Sequence, residues 1–223
     1  SIRDDIIAGA LWALDEDRRK AIYASLRDKV AEEEALRLLL LSPYRASTWL
    51  LVDQLSSEAR NRFWVEVVPQ YVFDSPEENN ASVRRLLEVE RPRAAFASMH
   101  FELEEIHPLL LVQMLSSMAQ NSKDKAEEYQ LHDYDVQRAF QLLNRNPDLT
   151  LEEKAGLEFA YLDVLARSFR GEGQQQIPNL EHYIEEHPEL FVQAVVWAYK
   201  RKDRGEDPPE FCVTEDRENF AKR

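Results

Sequence analysis

The sequence predicts an all-α protein: stacked antiparallel helical hairpins forming an irregular α-solenoid of the HEAT or tetratricopeptide kind, with about twelve helices. Three observations carry that expectation. Glycine is scarce, 5 in 223 residues, well under the average of about 7% in globular chains, where sheet hairpins and phosphate loops consume it. Apolar residues recur at helical spacing between short breaks marked by Pro, Ser, Asn and Asp. Finally, ALDEDRRKAIYASL at 13–26 returns as QLSSEARNRFWVEV at 54–67. Leu14 matches Leu55, Arg19 matches Arg60, Ile22 matches Phe63, Tyr23 matches Trp64 and Leu26 matches Val67, an offset of 41 residues. Two-helix repeats have periods of ~40–47 residues. A hairpin that cannot bury its apolar stripe alone finds the missing surface on the next one.

The elements follow in order. Ile6, Ile7, Ala10, Leu11 and Leu14 form a helical stripe over 2–14. Asp15 caps a second helix, whose inner face holds Ile22, Leu26 and Val30. Residues 32–41 form a third, stopped by Ser42-Pro43, because the residue before proline avoids the helical region. A short helix runs from about Ser47 to Leu55. Ser56 caps the next, which carries Phe63, Trp64 and Val67 and stops near Pro69. Ser75-Pro76-Glu77-Glu78 reads as a helix start, with Pro at the first position and Glu78 closing a capping box. That helix ends near Glu90. After a tight turn at Arg91-Pro92, residues 94–101 form a helix whose small Ala94, Ala95 and Ala97 permit close approach. Pro108 opens an apolar helix. Asp133 or Asp135 caps another, ended by Asn146-Pro147. Thr150 with Glu153 is a second capping box, opening a helix to about Ser168. Gly171 and Gly173 lie in a loop, and Pro178 and Pro188 start two final helices, the latter with Phe191, Val195 and Trp197.

The expected layout is an N-terminal repeat part at 1–120, a polar loop at 121–135, helical hairpins at 136–204 and an acidic, Pro-containing tail at 205–223. These read as one continuous domain. The chain opens SIRDDII, without Met, which reads as a segment of a larger protein.

Hydrophobic residues make up 44% and charged residues 31% of the chain, with a mean hydropathy of −0.53. Helices with one buried and one charged face reconcile those values. The net charge of −14 argues against nucleic acid, whose phosphates need a basic face. The clusters Arg84, Arg85, Arg91, Arg93 and Lys200, Arg201, Lys202, Arg204 read as solvated faces and helix ends. No apolar run reaches the ~20 residues that span a bilayer. A lone Cys212 cannot form an intrachain disulfide and sits among acidic residues, which disfavours a reactive thiolate. A reducing cytoplasm fits.

No motif specifies a reaction, and neither enzyme activity nor a cofactor is expected. GEGQQQ at 171–176 lacks the Lys-Ser/Thr of a phosphate loop. In HFELEEIH at 100–107, His100 and His107 are seven apart. Two helical metal ligands need a spacing of four to share one face, so the pair is a weak metal candidate only. The aromatics Trp12, Trp49, Trp64, Tyr71, Phe73 and Trp197 read mainly as packing between hairpins. Beside the matched segments, Tyr44, Arg45, Trp49, Arg60 and Trp64 are the candidate lining of a peptide-holding groove.

The phrases SPYRASTWLLVDQL, NRFWVEVVPQYV and VRRLLEVERPRAAFASMH resemble the irregular helical-repeat regions of large bacterial STAND-type signalling and defence proteins. The resemblance implies a sensor or scaffold arm beside a nucleotide-hydrolysing or effector module. The expected function is therefore protein–protein interaction, with a protein, a peptide or other regions of its own longer chain as partner, and with no nucleic acid and no membrane. A regulatory arm of an NTPase-effector protein is the first alternative. A small helical metal protein using the 100–107 cluster is the second.

Overall fold

A computed structural model describes residues 2–26, 29–73, 75–99, 101–120, 129, 132–167, 177–188 and 191–192. The regular structure among the described residues is entirely helical, as the scarcity of glycine and the 3.6-residue periodicity require. The chain forms two compact units, Ser1–Met99 and His100–Arg223. That break falls ahead of the 121–135 stretch.

The first unit runs through α1 (Ile2–Ala13), α2 (Glu16–Leu26), α3 (Glu32–Leu40), α4 (Ala46–Val52), α5 (Ser57–Glu66), α6 (Pro76–Glu88) and α7 (Pro92–Met99). Helices α2 and α5 begin alike. Asp15 Oδ1 accepts from Arg18 N at 2.8 Å, and Ser56 Oγ accepts from Ala59 N at 3.2 Å. Each satisfies an orphan amide of the first turn. The two caps lie 41 residues apart in sequence, so the repeated text marks a repeated structural event. Ser56 also ties α5 back to α3, because its N–H and hydroxyl donate to the Glu32 carboxylate at 2.7 and 2.8 Å.

The start of α6 differs from expectation. Ser75 makes no side-chain cap. Glu78 instead accepts from Ala46 N at 2.8 Å and satisfies the opening amide of α4. A glutamate at the third helical position can reach either its own cap or a neighbouring helix end, and here packing offers the neighbour. Helix α5 stops at Glu66, earlier than Pro69 implies, because Val67 turns extended at φ −61°, ψ 139°. Arg91 holds that end. Its Nη1 donates to the carbonyls of Trp64 and Val67 at 2.9 and 2.8 Å. The extended run to Phe73 is clamped by Asn79, which donates to Val72 O and accepts from Val72 N, both at 2.9 Å. Helix α6 closes with Glu90 at φ 59°. There Arg91 N donates to Leu86 O at 2.9 Å and Glu90 N to Leu87 O at 3.0 Å, a Schellman arrangement with Glu where Gly is usual.

The core of this unit joins Leu36, Leu39, Val52, Phe63, Val83, Leu86, Phe96 and Met99, all buried. Ala94 and Ala95 are fully buried where α7 packs on α6. Trp12 and Phe73 are exposed, contrary to the packing role their spacing implied. A stripe read from period alone identifies which residues share a face. It does not say whether another element covers that face.

The second unit contains a 3₁₀ turn at Leu103–Glu105, then α8 (Pro108–Gln120), α9 (Asp133–Asn144), α10 (Leu151–Ala160), α11 (Leu162–Arg167) and α12 (Pro178–Glu186). Helix α9 starts within the stretch read as loop to 135, with His132 at its cap position. The predicted capping box forms on α10. Thr150 Oγ1 accepts from Glu153 N at 3.2 Å, and Glu153 accepts from Thr150 N at 2.8 Å. The helix read as continuous to Ser168 breaks at Tyr161, whose fully buried ring sends its hydroxyl to Leu115 O at 2.8 Å. Residues 121–128, Gly171, Gly173, Val195, Trp197, the 200–204 basic cluster, Cys212 and the 205–223 tail lie outside the described residues. Among the described residues no helix is long and apolar enough to cross a membrane.

Candidate functional site

The candidate groove residues divide by burial. Tyr44, Trp49 and Trp64 are buried, each at 5% exposure or less, whereas Arg45 and Arg60 are exposed. Tyr44 meets Trp49 edge-on at 5.0 Å between centroids and Trp64 at 6.2 Å, and the two indoles lie 5.6 Å apart. Phe63 adds an edge contact to Trp64 at 5.3 Å. Such tilted pairs match the quadrupoles of the rings. The trio is thus a packed aromatic core where α4 meets α5, and its faces are taken up by one another. Nε1 of Trp49 and of Trp64 are buried without a hydrogen-bond partner among the described residues. An orphaned donor of this kind costs about 1–3 kcal/mol.

The outer edge of this core forms a polar concavity of about 490 Å³, lined by Asp53, Ser57, Arg60, Asn61, Trp64, Arg85, Glu88 and Val89. Arg85 spans it. Its two terminal nitrogens donate to the two Asp53 oxygens at 2.6 and 2.7 Å, and its guanidinium carbon lies 5.3 Å over the Trp64 ring. The hydrogen bonds from Arg85 hold the Asp53 carboxyl below the usual carboxylate range. Arg60 adds positive charge near Asp53 without reaching it.

A smaller crevice lies beside α2, the sequence counterpart of α5. Glu16, Arg19, Lys20, Tyr23, Ser47 and Thr48 line a crevice between α2 and α4. Moved by 41 residues, the four α2 positions become Ser57, Arg60, Asn61 and Trp64, which line the α5–α6 concavity, whereas Ser47 and Thr48 open α4 and their counterparts Glu88 and Val89 close α6. The first crevice has no room for a water-sized sphere. Its arginine explains why: Arg19 Nη1 donates inward to the carbonyls of Leu11 and Leu14 at the end of α1. Lys20 is paired with Glu16.

A second concavity, of about 770 Å³, runs between α2, α3 and α4. Leu26, Val30, Leu38, Leu50, Leu51 and Leu55 make most of its apolar lining, with Lys20, Glu32 and Gln54 at its rim. Leu50 is 60% exposed. Sequence reasoning overlooked this trough and the Asp53–Arg85 pair. The run LLV at 50–52 was the available signal for the trough, because adjacent apolar residues on a helix cannot all face the same core. The ion pair spans 32 residues, and no local pattern announces it.

Elsewhere the chemistry is structural. His107 is exposed and accepts from Leu109 N at 3.3 Å, while His100 lies outside the described residues. Among the described residues no three His, Cys, Asp or Glu side chains converge to hold a metal. In the second unit Glu158 is fully buried. It accepts from Asn179 Nδ2 at 2.6 Å and from Leu180 N at 2.7 Å, so α10 caps the start of α12. Asn179 also donates to Asn144 Oδ1 at 2.8 Å. Burial pushes the Glu158 carboxyl above its ordinary pKa despite those donors.

No family model, no curated protein and no solved structure matches the chain.

Proposed function

We propose that the chain is a protein-interaction or scaffold module, a segment of an irregular α-solenoid belonging to a larger cytoplasmic polypeptide. Its partner is another protein, a peptide, or another part of its own chain. The observation that carries this reading is the trough between α2, α3 and α4, in which leucines alternate with Lys20, Glu32, Ser47 and Gln54. Its volume falls within the ~300–1,000 Å³ of binding pockets, and an amphipathic helix recognises such a groove through anchors at i, i+3 or i+4, and i+7. The repeat supports the solenoid part: caps at Asp15 and Ser56, and buried aromatics at Tyr23 and Trp64, keep one offset.

The test is site-specific photocross-linking from position 50 in the full-length protein in its native cells, with position 84 on the exposed side of α6 as control. Adducts to a defined protein or peptide from 50 and not from 84 are expected. Adduct yields from 50 no higher than from 84 would remove the reading.

A further inference from the structure

We propose that the α5–α6 concavity is a second recognition point, which takes a single carboxylate of a partner peptide on Arg60, Ser57 and Asn61. The proposal rests on the interaction-module reading and deepens it by naming the chemistry recognised.

The contrast between the two copies of the repeat carries it. At the first copy the arginine is committed. Arg19 closes the carbonyl end of α1, and the crevice beside it is filled. At the second copy the α4 carbonyls are already served by the backbone, since Gln54 N donates to Leu51 O at 3.1 Å and Leu55 N to Val52 O at 3.0 Å. Arg60 makes no bond to them. It stays exposed on the wall of a 490 Å³ space, with no hydrogen bond or ion pair among the described residues. Ser57 lies three residues before Arg60 and four before Asn61, so it neighbours both on the surface of α5, and all three line the concavity. They too are exposed without a hydrogen-bond partner among the described residues. Guanidinium, hydroxyl and amide thus form an uncommitted donor set at one end of a concavity.

The rest of the lining selects the ligand's charge. Arg85 and Asp53 cancel each other through two hydrogen bonds, which leaves Arg60 and Glu88 as the other charged groups of the lining. Glu88 is drawn to Arg85 electrostatically. A guanidinium with a free fork matches a carboxylate with two parallel hydrogen bonds. The chain's net charge of −14 opposes every anion at long range and a polyanion most, so the ligand proposed is limited to one carboxylate beside apolar residues. Val89 and the edge of Trp64 offer those neighbours a surface.

The probe is the tripeptide acetyl-Leu-Glu-Leu-amide, titrated into the purified chain and followed by the amide resonances of Ser57, Arg60 and Asn61. Saturable shifts at these three are expected. Affinity falls at least about tenfold in Arg60→Gln and for the Gln-containing tripeptide, and stays unchanged in Arg84→Gln, an exposed arginine outside the concavity. Equal affinity for the Gln tripeptide, or no saturable shift, overturns the proposal. Saturation by inorganic phosphate as tight as by the tripeptide overturns the carboxylate assignment. Cross-linking at Leu50 probes the other concavity, so the two readings stand or fall separately.

Discussion

Arg85 grips Asp53 by both carboxylate oxygens, at 2.6 and 2.7 Å, while its guanidinium roofs the Trp64 indole at 5.3 Å. One side chain thereby joins the turn after α4, the aromatic core and α6. Both partners are about 30% exposed, at 30% and 31%, so solvent screens the pair without dissolving it. Bidentate geometry places its worth near the top of the surface range, about 1 kcal/mol. Asp53 is held below its ordinary pKa of 3.8. The stabilisation is therefore full above that value and disappears as pH falls through the lower, folded-state value. Asp53→Asn should lower stability by about 1 kcal/mol at pH 7. Below the folded-state pKa that difference should fade. Urea midpoints at a series of acid pH values check both halves.

Asn79 gives a larger expected effect. Its side chain satisfies both backbone groups of buried Val72. Asn79→Ala strands a buried donor and a buried acceptor together, with an expected cost of about 2–4 kcal/mol. Hydrogen exchange at Val72 is the local readout. Its amide should lose protection in the variant, beyond any change at Leu86.

Glu90 closes α6 in the left-handed region at φ 59°, where a Cβ is crowded by its own backbone. Glu90→Gly removes that crowding and keeps the Schellman bonds, which need only backbone atoms. A stability gain of about 1 kcal/mol is expected. A loss on thermal unfolding would show that the Glu90 side chain contributes more than its backbone costs.

Glu158 predicts the opposite pH slope to Asp53. Its folded pKa is raised by burial above the ordinary 4.5. The unfolded chain releases this proton first, so the folded state binds more protons in the window from 4.5 up to the raised value. Stability therefore declines as pH rises through that window. Its partners are the Asn144 and Asn179 amides and the Leu180 N–H. Glu158→Gln abolishes the titration while losing one accepted hydrogen bond. The deficit of the variant relative to the wild type should shrink between pH 4 and pH 7. A constant deficit across that range would show that the carboxyl titrates alike in both states.

The aromatic core has its own test. The Tyr23 hydroxyl bonds Ser42, and the Tyr44 hydroxyl bonds Ser82. Ser82 is 2% exposed. Tyr44→Phe should cost about 1–2 kcal/mol, because it leaves the Ser82 hydroxyl buried and short of a partner. Calorimetric unfolding of Tyr44→Phe beside Tyr44→Phe/Ser82→Ala separates the terms. The double variant should recover part of the loss.

By itself the sequence determined whatever depends on neighbours along the chain. Helices, their breaks and the caps at Asp15, Ser56 and Thr150 all follow from contacts three or four residues apart, which the chain brings together wherever it goes. Only the tertiary structure decided the fate of groups that choose between a local and a distant partner. Glu78 left its own helix for Ala46, Asp53 found Arg85, and Arg19 turned inward while its counterpart Arg60 stayed exposed. Burial was decided the same way. Trp49 and Trp64 are enclosed and Trp12 is exposed, although all three sit at helical spacing. Periodicity defines a face, and enclosure requires a second element to lie against it.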